Sequence, residues 1–186
     1  MGEILTGPSA TGLWRDLVRE GESRCGATLD EDAESYLVFT LMRHDRDAPL
    51  AHRVMALELL RAFEQGGRLR EQDLRDVGDR CLLIAGLYPE LAARRRVSVD
   101  YFISLGQVAY DDLAQRSRLA LAELYGQLVR LFARLVRVLL EVRRIAHTGH
   151  ALDPLARHAL ALAAGADVAA REFEGSIVLP GPTRAQ

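Results

Sequence analysis

The sequence predicts an all-α protein, a bundle of about six or seven helices around one long central helix. Apolar residues recur three and four apart along most of the chain, the spacing that lines one side of an α-helix. No segment alternates apolar with polar residues as a half-buried strand would. Glycines, prolines and short polar side chains cut the pattern into helix-sized pieces with short connections, so neighbouring helices are expected to run antiparallel.

Leu13, Trp14, Leu17 and Val18 mark one face of a first helix, which Gly21 is expected to end. Thr28 followed by Glu31 has the spacing of a capping box and opens a second helix that runs to about His44. Its stretch 36–42 is apolar all round, and the charged flanks favour a buried helix over a buried strand. Asp47 with Pro49 opens a third helix, because a first turn has no use for the missing proline N–H. Leu50, Val54, Leu57 and Leu60 would face inward there, and Gly66 with Gly67 stops it. A fourth helix over 70–87 buries Leu74, Val77, Cys81 and Ile84. Pro89 interrupts it, 90–96 restarts as a short helical turn, and Ser98 caps the next helix over 99–115.

The clearest periodicity lies in 116–147. Leu121, Leu124, Leu128, Leu131, Leu135, Val138, Val142 and Ile145 alternate three and four without a slip, a heptad seam along roughly 45 Å of helix. Tyr125, Val129, Phe132, Val136 and Leu139 widen it beyond a coiled-coil seam. Such a stripe serves a central bundle helix packed on two sides, a homodimer interface, or both. Gly149 ends that helix, and Asp153 with Pro154 opens a last one to about Glu174. One helical domain over 1–174 is expected, with 175–186 as a mobile tail.

Composition narrows the role. The 186 residues are 49% hydrophobic and 27% charged, which fits one soluble domain with a sizeable core. All 24 basic residues are Arg, with no Lys and no Asn, which reads as the codon bias of a GC-rich genome. A net charge of −2 exerts no overall pull on nucleic acid or an anionic membrane. No apolar run approaches the roughly 20 residues of a membrane span. The N-terminal stretch MGEILTGPSATG lacks the basic and apolar regions of a signal peptide. Cys25 and Cys81 belong to no CxxC pair, so neither zinc nor a redox motif is indicated, and a cytoplasmic location is expected.

Few constellations offer chemistry. No Glu stands three residues before any of the five histidines, which sets aside a helical di-iron site. His44-Asp45 resembles half of a phosphohydrolase metal motif but has no histidine upstream, and His147 with His150 would make only half a metal site. No glycine-rich phosphate loop and no GxSxG element occurs. Neither a cofactor nor a metal is therefore expected. Gly78, Gly86 and Gly106 each sit alone inside a helical pattern, where they are expected to admit a close neighbour.

Two sets of residues are candidates for a site. Arg130, Arg134, Arg137, Arg143 and Arg144 follow the polar side of the long helix against Glu141 alone. Such a row could meet phosphates or an acidic partner, or be a solvated face balanced by Asp30, Glu31, Asp32 and Glu34. The segment 73–112 sets Asp76, Asp79, Arg80, Tyr88, Asp100, Tyr101 and Tyr110 among apolar residues. These could converge on a ligand, or be ion pairs and hydroxyls that hold the Pro89 corner. Asp76 with Arg80, and Arg75 with Asp79, have the spacing to pair on one helix face.

The same segment, with its Gly78-Asp79 pair, its apolar run into GLYPE and its later Gly106 and Tyr110, resembles a group of uncharacterised all-helical bacterial proteins with no assigned activity. The resemblance covers about a fifth of the chain and implies neither a reaction nor a catalytic residue. The leading expectation is a non-catalytic interaction or regulatory protein that forms a homodimer or meets another protein. The alternatives are an enzyme or small-ligand binder using 73–112, and a nucleic-acid binder using the Arg row, which the net charge disfavours.

Overall fold

The structure, a computed structural model, describes residues 10–44 and 54–148. The described residues form seven helices and no strand: α1 Ala10–Cys25, α2 Glu31–His44, α3 Met55–Glu64, α4 Gly67–Gly86, α5 Pro89–Arg94, α6 Val99–Arg116 and α7 Ala120–Thr148. The all-α bundle expected from the heptad spacing is what the chain forms. The expected opening at Asp47 and Pro49, the last helix over 153–174 and the tail lie outside the described residues.

Helix α4 packs against α6, and both pack against α7. Helices α1 and α2 also rest on α7, while α3 lies on α4 and α6. The stripe on α7 is buried within the chain over most of its length: Leu128, Leu135, Val138 and Val142 are fully buried and Ile145 almost so. Phe132 and Leu139 are buried beside them. Each such side chain contributes on the order of 1.5–3 kcal/mol over its exposed state. Leu121, at the start of the stripe, remains 55% exposed.

Several local signals resolve differently from expectation. Gly21 does not end α1. It lies in the α1–α7 contact, where an added Cβ would stand 2.9 Å from the Val138 carbonyl oxygen, and the helix runs on to Cys25. The cap of α2 is Asp30, whose Oδ1 accepts from the Ala33 N–H at 3.0 Å. Thr28 is exposed and offers only its carbonyl, to Arg134 at 3.2 Å. A carboxylate before an acidic first turn is the shorter route to the free amides.

The register of α3 is also different. Met55, Leu59 and Ala62 face inward, whereas Val54, Leu57 and Leu60 are 51–57% exposed. Both sets satisfy the three-and-four rule, so periodicity alone could not separate them; Leu50 lies outside the described residues. The expected interior of α4 is as found, with Leu74, Val77, Cys81 and Ile84 buried. Ser98 caps α6 by accepting from the Tyr101 N–H at 3.2 Å. At the α6–α7 corner Leu119 takes a φ of 51° and is 90% exposed.

Candidate functional site

The centre of the bundle holds a carboxylate. Asp79, in the middle of α4, is fully buried. Its Oδ1 accepts from the Tyr36 hydroxyl at 2.7 Å and from the Tyr110 hydroxyl at 2.8 Å. Its Oδ2 accepts from the Arg43 guanidinium. A buried charge is tolerable only with this kind of company. The rings pack around it: Tyr36 meets Tyr110 edge-on at 5.9 Å and Tyr125 at 6.2 Å, and Tyr110 lies 5.7 Å from Phe132.

Close helix approach makes the arrangement possible. A Cβ on Gly78 would stand 2.3 Å from Cε1 of Tyr110, and one on Gly106 would stand 2.3 Å from Cζ of Phe132. The lone helical glycines, Gly86 against Leu139 included, are therefore packing positions, as expected.

Burial, then the negative Asp79, pushes both the Tyr36 and Tyr110 phenols well above the ordinary tyrosine range. Burial alone would lower the Arg43 guanidinium, but the facing carboxylate outweighs it and raises it. At neutral pH the phenols are thus fixed donors, and both point at Oδ1 of Asp79. Proton abstraction by Asp79 would first require breaking two phenol bonds and an ion pair. The geometry suits a tie between α2, α4 and α6 better than acid–base chemistry.

The expected site residues divide. Asp79 and Tyr110 meet at this centre. Asp76 is half-buried and lies near enough to Arg43 to add to its field. Neither expected helix pair forms: Asp76 and Arg80 make no ion pair among the described residues, and Asp79 takes Arg43 in place of Arg75. Tyr88 is half-buried at the start of α5, and Asp100 is an exposed acid in the first turn of α6, favourable to the helix dipole. Tyr101 is exposed, edge-on to Phe102 at 5.3 Å. The seven residues therefore do not converge on one pocket. Cys81 is buried beside α6, and desolvation pushes its thiol up to about 12 despite the nearby Arg95.

Tyr36, Arg43 and Tyr125 belong to the centre and were not among the expected site residues. A signal was available: Tyr36, Thr40 and Arg43 stand at i, i+4 and i+7, a polar row through a stretch otherwise read as apolar.

The Arg row also divides. Arg143 pairs with Glu90 at 2.9 Å and Arg144 with Glu141. Arg134 donates to the Thr28 carbonyl, while Arg130 and Arg137 are exposed. Of the four acidic residues expected to balance this row, Glu34 pairs with Arg15 and Arg19 instead, and Asp30, just before α2, accepts from Gln127.

A groove of about 270 Å³ opens where the first half of α4 meets the α6–α7 corner. Arg68, Gln72 and Arg75 line it from α4, with Ser117 at the end of α6 and Leu121 and Tyr125 at the start of α7. Tyr125 lies 6.0 Å from Tyr110, so the wall of the groove is also a wall of the buried centre. No family model, no curated protein and no solved structure matches the chain. No helix among the described residues is long and apolar enough to cross a membrane.

Proposed function

We propose that this is a non-catalytic interaction protein that associates with a second copy of itself through the outer face of α3. The observation that carries the reading is that α3 is apolar on two opposite sides. Met55, Leu59 and Ala62 are spent on the contact with α4 and α6, while Val54, Leu57 and Leu60 stand in water. Leu69, in the first turn of α4, adds another leucine 51% exposed on the same hairpin.

A second copy is the favoured occupant because the rim carries both signs. Glu58 and Arg61 pair across it at 3.4 Å, with Glu64 and Arg68 beyond. A two-fold relation sets such a rim against its own complement, whereas a rim of one sign would favour an oppositely charged partner. The exposed aliphatic area is on the order of 400 Å² per copy, about half that of a standard interface, so the dimer is weak. The homodimer thus moves from the α7 stripe, most of which is used within the chain, to α3. The two free thiols, Cys25 and Cys81, fit a reducing compartment such as a cytoplasm.

Sedimentation velocity over about two decades of protein concentration tests this. The mean mass should rise toward that of a dimer, and Leu57→Glu/Leu60→Glu should hold it at that of a monomer with an unchanged circular dichroism spectrum. A monomer mass throughout for the unaltered chain rules the proposal out.

A further inference from the structure

The groove at the α4 and α6–α7 junction is lined by more positive than negative charge. Arg70, on α4, is saturated by the protein: it pairs with Asp112 at 2.7 Å and donates to the Phe63 carbonyl at 2.8 Å. Arg75, just over a turn further on, is half-buried, and its buried Nε has no hydrogen-bond partner. No ion pair to Arg75 forms among the described residues. Arg68 lines the same groove two turns earlier, and Glu71 stands between them. Two guanidinium groups and one carboxylate leave the lining with a single positive charge.

The rest of the wall is mixed, with Gln72 and Ser117 polar and Leu113, Leu121 and Tyr125 largely apolar. Leu113 forms buried floor, the Tyr125 ring one side, and Leu121 is left 55% exposed at the edge. An exposed apolar side chain in the same groove as a guanidinium that forms no ion pair among the described residues is covered best by a molecule that is itself both anionic and apolar.

We propose that this groove binds a small organic monoanion, a carboxylate on an apolar body of roughly ten to fifteen non-hydrogen atoms. The carboxylate meets Arg75, with Arg68 adding its charge, and the body lies against Leu121 and Tyr125. Glu71 sets the charge preference: a lining that is positive by one unit suits a carboxylate better than a phosphate dianion. This site shares the Tyr125 ring with the Asp79 centre and Arg68 with the rim of the proposed dimer, but Arg75 and Leu121 belong to neither, so their substitution tests it apart from the self-association.

Isothermal titration of the full-length chain with 2-naphthoate is the test. One saturable site per chain is expected, weakened about tenfold or more by Arg75→Gln, the size of one charge-assisted hydrogen bond. Leu121→Asp, at an exposed position, should weaken it as well, and 2-naphthalenemethanol, the same body without the charge, should bind at least about tenfold less tightly. No saturable heat with the unaltered chain would overturn the proposal. So would undiminished binding by a folded Arg75→Gln variant, and tighter binding of 1-naphthyl phosphate would overturn the preference for a monoanion.

Discussion

Tyr110 lies across Gly78 so closely that a methyl group there would stand 2.3 Å from its Cε1 and 2.6 Å from its Cδ1. The contact lets the phenol reach Asp79, the next residue on α4, at 2.8 Å. Gly78→Ala sets two effects against each other. Alanine's helix propensity favours the folded state by about 1 kcal/mol. Displacing a fully buried ring costs about 1–3 kcal/mol, and losing its hydrogen bond about 1 more. A net loss of about 2 kcal/mol is expected in urea unfolding. A variant as stable as the parent would mean that the ring has room to retreat.

Asp79→Asn should cost more than either phenol. Removing the charge leaves Arg43 and two hydroxyls facing a weaker acceptor. Breaking a buried pair costs about 3–5 kcal/mol, but the Arg43 side chain is 32% exposed and can turn to water, so about 2–3 kcal/mol is expected. Tyr36→Phe and Tyr110→Phe should each cost about 1 kcal/mol. A double-mutant cycle of Tyr36→Phe with Asp79→Asn reads the coupling; strictly additive losses would contradict a shared tie.

The same groups set the response to pH. The Tyr36 and Tyr110 phenols are raised in the folded chain, so the folded state holds their protons more tightly than the unfolded one. Their contribution is complete below the unfolded value of about 10 and is lost as pH climbs above it. Asp112 works in the opposite direction. Burial would raise its carboxyl, but hydrogen bonds from Arg70 and Arg116 outweigh that and lower it. Its contribution is present above the ordinary carboxylate range and fades as pH falls below it. Chemical denaturation across pH should therefore give an alkaline decline that Tyr110→Phe flattens and an acid decline that Asp112→Asn flattens. An alkaline limb unchanged by the first substitution would be the contrary result.

The two thiols should react at different rates. Cys25 is half-buried at the end of α1, where its Sγ lies 3.6 Å from the Glu22 carbonyl, while Cys81 is fully buried with a pKa of about 12. A disulfide reagent attacks the thiolate, so the native chain at pH 8 should release about one equivalent quickly. The second should appear only in denaturant. Two fast equivalents in the native chain would mean that α4 opens readily.

The helix content was legible because three-and-four spacing over 29 residues of α7, or 20 of α4, leaves no competing period. Which of two apolar faces turns inward was not legible in α3: Leu57, Leu60 and Val54 are as hydrophobic as Met55, Leu59 and Ala62. Only the neighbouring helices decide, and they are remote in sequence. The site was half legible for a related reason. Asp79 and Tyr110 could be singled out as polar residues in an apolar segment. Their partners Tyr36 and Arg43 lie 43 and 36 residues before Asp79, on a helix whose polar row is thin enough to pass for apolar. The expected pairs at i, i+4 on α4 failed because a buried carboxylate takes the donors that exclude water best, and those came from α2 and α6.

The donors to Asp79 come from both sides of it along the chain, from residues 36 and 43 before and from residue 110 after. No contiguous piece shorter than 36–110 can satisfy that carboxylate. A chain emerging from the ribosome, with α4 made and α6 still to come, carries Asp79 with only part of that set of donors. Tyr36 and Arg43 are already made by then, and Tyr110 completes the set when α6 follows. The buried Asp79 thereby ties packing to the order of synthesis: these three donors are together only once α2, α4 and α6 have all been made.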